Sequence, residues 1–278
     1  MELTAQNMET VIRLGLFLGL FVCFFTLEAL WPRKALSAPK PSRWFGNLSV
    51  VFGNTVLVQL VFILIGATAV GLGAIAQNQG WGLLNQFVLP LPLAIILGLL
   101  LLDLAIYTQH LVFHRVPILW RLHRMHHADT DIDASTGLRF HPLEIVLSMA
   151  IKMALIVSLG VPPLAILVFE IVLNATAMFN HANMALPLWL DRLLRLIIVT
   201  PDMHRVHHSV HAHECNNNFG FNLPWWDRLF GTYIAQPTDG HVNMKIGLPT
   251  YRSSEWRRLK GLLSIPFKAD TNARETPS

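Results

Sequence analysis

Eight histidines stand in three short groups: His110-x-x-x-His114, His123-x-x-His126-His127 and His204-x-x-His207-His208. Residues at i, i+3 and i+4 share one side of a helix. His110 and His114 therefore point the same way, and each of the other groups is expected to form a three-imidazole face. Neutral imidazole is a good ligand for iron and zinc. Clustered rings repel one another when protonated, so a divalent cation is their natural charge partner. Eight ligands exceed the four of a structural zinc site. Adding His181, and His141 as a further candidate, gives nine or ten, which suits two metal ions with room for water or O2. His211, His213 and His241 lack such spacing and are expected to be ordinary polar residues. No HExxH motif is present to suggest a zinc protease, and a haem would use only one or two of these rings.

The elements that position these residues follow from composition. The chain has 278 residues, 53% hydrophobic and only 14% charged, where soluble domains carry roughly 25%. That excludes an ordinary soluble domain and a disordered chain. The net charge of +4 comes from basic residues in short segments between apolar runs, which is not a nucleic-acid footprint. Two cysteines, Cys23 in an apolar run and Cys215 in a polar one, form no disulfide framework and read as free thiols. Glu2 and Glu9 and a long apolar run argue for a retained helix over a cleaved signal peptide.

The first apolar run is Val11 to Trp31, followed by a proline-rich loop to Asn47 with Arg33, Lys34, Lys40 and Arg43 and no acid, which the positive-inside rule assigns to the cytoplasm. A second run, Leu48 to Ala76, leads to an uncharged loop, Gln77 to Gln86. The third, Phe87 to Phe113, holds Asp103 as its only acid and returns the chain to a side marked by Arg115, Arg121 and Arg124. Leu143 to Phe179 is broken at Gly160-Val161-Pro162-Pro163, predicting two short antiparallel helices or a re-entrant hairpin. Lys152 and Glu170 then fall at similar depth, where an ion pair makes both charges tolerable. Pro187 to Thr200 reads as an amphipathic helix on the membrane surface, or a core helix of the cytosolic region. The last ten residues read as a frayed end. The expected fold is all-α: a polytopic helical membrane protein with four to five transmembrane helices and a cytosolic helical cap carrying a di-metal histidine site. Three segments are expected: 1–86 with N-terminal transmembrane helices and the basic loop, 87–235 with the histidine groups, and 236–278 as a polar cytosolic tail. The histidines lie at the cytoplasmic ends of the spans, whereas a transporter places ligands near the midplane.

In this order, HLVFH (110–114), HRMHH (123–127) and HRVHH (204–208) resemble the histidine boxes of the fatty acid hydroxylase/sterol desaturase superfamily of integral membrane di-metal oxygenases. RFHPLE (139–144) and FNHAN (179–183) look like its landmarks. NNNFGFNLPWWDRLFGTY (216–233) looks like the stretch after the last box, including in alkylglycerol monooxygenase-like members. The resemblance covers roughly residues 90 to 235. It implies O2-dependent oxidation, by hydroxylation or desaturation, of a C–H bond in a lipid such as a sterol, fatty acyl chain or ether lipid. Two iron ions, with zinc as a substitute, would be held by His110, His114, His123, His126, His127, His181, His204, His207 and His208. Electrons would come from an external ferredoxin, cytochrome b5 or reductase, since the chain shows no GxGxxG or cysteine cluster. The partners implied are the membrane and a lipid, with no nucleic acid. A non-catalytic metal-binding membrane protein, a sensor or transporter, is the alternative. Asp103, two helical turns before His110 and on about the same face, is a candidate to accept a ligand N–H, weighed equally against a packing role. Asp129, Asp131 and Asp133 read as a solvated turn, and Trp225-Trp226-Asp227-Arg228 as part of an aromatic belt.

Overall fold

A computed structural model describes residues 5–269. Its longest helices are α1 (Ala5–Leu30), α2 (Lys40–Ile65), α4 (Leu91–Arg115), α6 (Pro142–Leu159) and α7 (Pro163–His181). Five stretches built on these helices are long and apolar enough to cross a membrane, and the chain is a multi-pass membrane protein. Shorter helices complete it: α3 (Ala69–Asn78), α5 (Pro117–His127), α8 (Leu188–Leu194), α9 (Pro201–His207), α10 (Ala212–Cys215), α11 (Trp225–Leu229), α12 (Gly240–Asn243) and α13 (Leu259–Ser264). No strand occurs among the described residues beyond two isolated β-bridges.

The apolar run expected from Leu48 to Ala76 is two helices, not one. Gly66 takes φ +75° and its N–H bonds Phe62 O, a left-handed cap that only glycine adopts cheaply. Thr68 then caps α3 by accepting from Gly71 N. Hydropathy does not register these caps, because neither residue interrupts an apolar window. The break before Pro163 is where the sequence places it. Gly160 closes α6 at φ +67°, and Pro163 opens α7 where a missing N–H costs nothing.

The two helices of this hairpin pack on α3 and α4 through Ala69, Leu102, Ile156, Val161, Ile166 and Phe169. Lys152 pairs with Glu170 across the hairpin as expected. Arg13 of α1 adds a second cation, its Nη2 2.8 Å from Glu170 Oε2. Three spans are thus tied by charges that would each be costly alone in lipid.

A polar cap covers one end of the spans. The Asp129-x-Asp131-x-Asp133 segment is not a solvated turn: all three are buried. The two oxygens of Asp131 accept from Ser37 N at 2.8 Å and Ala38 N at 2.9 Å. Asp129 and Asp133 hold Arg43, which is fully buried. Arg33 pairs with Asp202 and Lys40 with Glu28. The basic loop therefore clamps the cap. The C-terminal segment, as far as it is described, is no loose tail either. Leu262 and Ile265 pack with Val50, Trp120, Met125 and Cys215, and Arg124 Nη2 donates to Ile265 O and Lys268 O. Apart from residue 269, the expected frayed end lies outside the described residues.

Candidate metal centre

The cap brings together all nine histidines carried by the three boxes and His181, in two groups. His110, His114, His123, His127 and His207 form the first; His126, His181, His204 and His208 form the second. Within each group one ring nitrogen per residue lies within 4.8 Å of the others. Every one of the nine is buried. His110 and His114 sit at the end of α4, the 123–127 box on α5, His181 at the last residue of α7, and the 204–208 box on α9 and its cap.

The two HxxHH boxes do not each form one face. His123 and His127 serve the first group while His126 turns to the second. His204 and His208 serve the second while His207 turns to the first. The reason is angular. An i,i+4 pair differs by about 40° on a helix of 3.6 residues per turn, whereas the third ring stands about 100° from its neighbour. The boxes thus interlock, each donating two rings to one group and one to the other.

The first group has its ring orientations fixed from behind. His110 Nδ1 donates to Phe219 O at 2.8 Å, and His207 Nδ1 to Asn217 O at 2.8 Å. His114 Nδ1 faces Asn216 Oδ1 at 3.3 Å, and His127 Nδ1 lies 3.6 Å from Cys215 Sγ. His123 Nδ1 meets Glu144 Oε1 at 2.6 Å. A ring whose Nδ1–H faces an oxygen presents its Nε2 lone pair inward. His110, His123 and His207 each have a buried Nε2 with no hydrogen-bond partner, the signature of a nitrogen awaiting a cation.

In the second group, His181 Nε2 lies 3.1 Å from His126 Nε2, 3.1 Å from His204 Nε2 and 3.2 Å from His208 Nε2. One nitrogen lone pair cannot serve three donors. Four imidazole nitrogens bound at about 2.1 Å to one ion would stand roughly 3.0–3.4 Å apart, so the donor set fits a metal. Only His181 has its Nδ1 held, by Ala177 O at 2.8 Å and Asn180 Oδ1 at 2.5 Å. The other three Nδ1 atoms are buried without a partner.

Burial, reinforced by neighbouring imidazoles, holds His126, His127, His204 and His208 well below the ordinary imidazole value. Burial pushes His207 down to about 3. Burial thus favours in these five rings the neutral form that ligands require. Burial also raises the Cys215 thiol to about 12, so it stays protonated beside His127.

His141 lies outside both groups. It caps α6, its Nδ1 accepting from Leu143 N, and its Nε2 faces Leu263 O. His211 and His213 pair at the surface with Asp239 and Thr238. Asp103 does not touch an imidazole: Oδ2 accepts from Trp226 Nε1 at 2.7 Å and from Leu223 N at 3.3 Å. Two helical turns put it on the right face but about 10 Å from His110 along the axis, beyond the reach of a short carboxylate. The carboxylate that does meet a ring is Glu144, which spacing alone did not single out, although it closes the RFHPLE stretch. Glu144→Gln is expected to lower metal affinity of the five-histidine group by about 10–100-fold, read by competition with a chelator of known affinity.

His241 is buried beside Gln236 Oε1, 3.0 Å away. Burial pushes its pKa down to about 4 from an ordinary 6.5. The unfolded chain therefore binds the extra proton first, so the stability from this neutral ring is complete above pH 6.5 and lost as pH falls toward 4. His241→Gln is expected to flatten the fall of the unfolding midpoint across that window, followed by thermal denaturation at a series of pH values.

The stretch that matches known proteins contains all nine histidines. Residues 95–232 match the fatty acid hydroxylase family. The ornithine lipid hydroxylase OlsE of Rhizobium tropici is 30% identical over 157 residues, 56% of this chain and 46% of that protein. The alkylglycerol monooxygenase of Homo sapiens is 30% identical over 141 residues, 48% of this chain and 29% of that protein. The cholesterol 25-hydroxylase of Rattus norvegicus is 28% identical over 144 residues, 51% and 47% of the two chains. The matched stretch spans less than half the length of each of these relatives. No solved structure matches the chain.

Proposed function

The chain belongs, through residues 95–232, to the fatty acid hydroxylase family, and on that premise we propose that it is a membrane oxygenase that hydroxylates a C–H bond of a lipid. The observation that carries this reading is the pair of buried histidine groups at the ends of α4 and α7. The nine histidines would hold two irons, five nitrogens on one and four on the other. When bound, these irons would activate O2 so that one oxygen atom enters the C–H bond and the other leaves as water, with two electrons and two protons supplied from outside the chain.

The chain's own part is to hold, orient and exclude. Phe219 O, Asn217 O and Glu144 fix the rings of His110, His207 and His123, while Phe219 and Phe140 pack against His110 and His126 and keep water off the nitrogens. A small crevice between α4, α6 and α7, lined by Leu102, Ile106, Gln109, Lys152, Leu155 and Phe169, has room for little more than a water molecule. Gln109 is the neighbour of His110, and its Nε2 donates to Ser148 Oγ at 2.8 Å. We place the metal face on the cytoplasmic side, because Arg33, Lys34, Lys40, Arg43, Arg115, Arg121 and Arg124 all belong to that end. The turns at the other end, 77–90 and 160–163, carry no lysine or arginine. A ferredoxin, cytochrome b5 or reductase arriving from the cytoplasm would supply the electrons.

The test is metal analysis of the purified protein in nanodiscs, together with lipidomics of cells with and without the gene, grown under isotopically labelled O2. About two irons per chain and a lipid carrying label from O2 support the reading. Bound metal with no oxygenated lipid supports a sensor or transporter instead. A lipid product that persists under strict anaerobiosis overturns the oxygenase.

A further inference from the structure

Between the spans and the cap lies an apolar face that none of the described residues covers. Leu193, Leu196 and Ile197, in and just after α8, and Trp225, Leu229 and Phe230, in and just after α11, are all exposed, Ile197 at 60% and Leu229 at 69%. Asp191 and Arg195 of this region turn inward. Asp191 is buried, bonded to Thr200 Oγ1 at 2.6 Å and paired with Arg195. This reverses the usual water-facing pattern, in which charge lies outside and leucine inside.

The two segments form one body. Trp225 Nε1 donates to Leu196 O at 2.7 Å, Arg228 Nη2 to Arg195 O at 2.7 Å, and Val199 N to Asn222 O at 2.9 Å. The depth of this body is fixed by α4. Trp226 Nε1 and Leu223 N both bond Asp103. Seven residues at 1.5 Å each place Asp103 about 10 Å below His110 along the span. Tyr107, between them, stacks on Phe230 with centroids 5.4 Å apart, and its hydroxyl bonds Thr232 Oγ1 at 2.9 Å. The segment therefore runs down beside α4 to a level well inside a candidate membrane span.

We propose that residues 188–197 and 223–230 form a wedge that does not cross the membrane but is embedded in it, on the leaflet of the metal site, so that the partner of this face is the acyl-chain region of the host bilayer. An apolar face seated about 5–10 Å below the headgroups is the geometry of an interfacial, non-spanning element. The nearby Arg192 and Arg228 are exposed and long enough to reach the phosphates. The residues read from sequence as an aromatic belt thus sit deeper than a belt, held there by Asp103.

The test uses the full chain in nanodiscs, with Cys23→Ser removing the exposed native thiol. A spin label at Ile197→Cys or Leu229→Cys is compared with one at Ile63→Cys, on the lipid side of α2, and one at Val242→Cys in the cap; Ile63 is 74% and Val242 58% exposed. Labels at 197 and 229 are expected to collide more with O2 than with a water-soluble nickel chelate, as at 63. The aqueous pattern of 242 at both sites overturns the proposal. Labels immobilised and shielded from both reagents overturn it too, in favour of a second copy or a protein partner on this face. Should a cysteine variant fail to fold, the Trp189→Phe/Trp225→Phe double variant is expected to lose part of the tryptophan quenching caused by lipids brominated on their acyl chains. Unchanged quenching overturns the proposal. Metal content is unaffected by any of these outcomes, so the wedge and the oxygenase fail separately.

Discussion

Replacing His207 or His204 by alanine is expected to remove a metal ion from the protein and to abolish lipid oxidation, while His141→Ala and His213→Ala leave both ions in place. His207 supplies one of five nitrogens in its group and His204 one of four. Loss of an outer partner alone typically costs 10–100-fold in affinity, so loss of a nitrogen donor should cost more than about a hundredfold. His141 and His213 carry the same ring but bond Leu143 N and Thr238 Oγ1 respectively, outside both groups. Metal content per chain after dialysis against a weak chelator is the measurement. Retention of both ions by the His207→Ala and His204→Ala proteins would sink the site.

The two groups should also differ in how firmly they hold. In the five-histidine group every Nδ1 has a neighbour: Phe219 O, Asn216 Oδ1, Glu144 Oε1, Cys215 Sγ and Asn217 O. In the four-histidine group only His181 does. Rings held from behind lose less freedom on binding and are stronger donors. Under a chelator, the wild-type protein is expected to pause at about one ion per chain, and the ion that leaves first is that of His126, His181, His204 and His208. Both alanine proteins should start with about one ion, and the chelator should strip it from the His207→Ala protein at concentrations that leave it in the His204→Ala protein. The reverse assignment contradicts it.

What the sequence disclosed depended on how local each feature is. The HxxHH boxes could be read because i, i+3 and i+4 spacing is a property of one helix. The hairpin pair Lys152–Glu170 could be read because both residues count from the same turn at 160–163. The exchange of His126 and His207 between groups could not, because it depends on how α5 meets α9 and α7. Asp103 was placed on the correct face, yet its partner Trp226 lies 123 residues away, where no spacing argument reaches. The acidic run after the second box misled for a related reason. Alternating aspartates beside a histidine box look like a water-facing turn unless the cation that buries them is known, and Arg43 stands 86 residues earlier than Asp129.

That cation carries the second large expectation: Arg43→Met should destabilise the protein by about 3–5 kcal/mol. Arg43 Nε and Nη2 bond the two oxygens of Asp129 at 2.7 and 2.8 Å, and Nη1 bonds Asp133 Oδ2 at 2.7 Å. Its guanidinium holds the Asp129 carboxyl well below the usual carboxylate range against the opposing effect of burial. Without it, Asp129 keeps one cation, Arg139 at 3.5 Å, and neutral donors from Thr136 and Asn47, while Asp133 keeps neutral donors from Ser135 and Trp44. Two buried carboxylates are then left with one cation between them, in a protein whose total stability is of order 5–15 kcal/mol. Arg43→Lys should recover little, since a point charge cannot fork to two carboxylates. Adding Asp133→Asn to Arg43→Met should recover part of the loss, because it removes one of the uncompensated charges. The damage reaches the metal: Asp129 follows His127 by two residues, so a loosened 128–136 segment should release the first group's ion along with the fold. Unfolding midpoints of the four proteins in nanodiscs, taken with their metal content, decide the matter. An Arg43→Met protein that melts with the wild type shows that the clamp between α2 and the cap is dispensable.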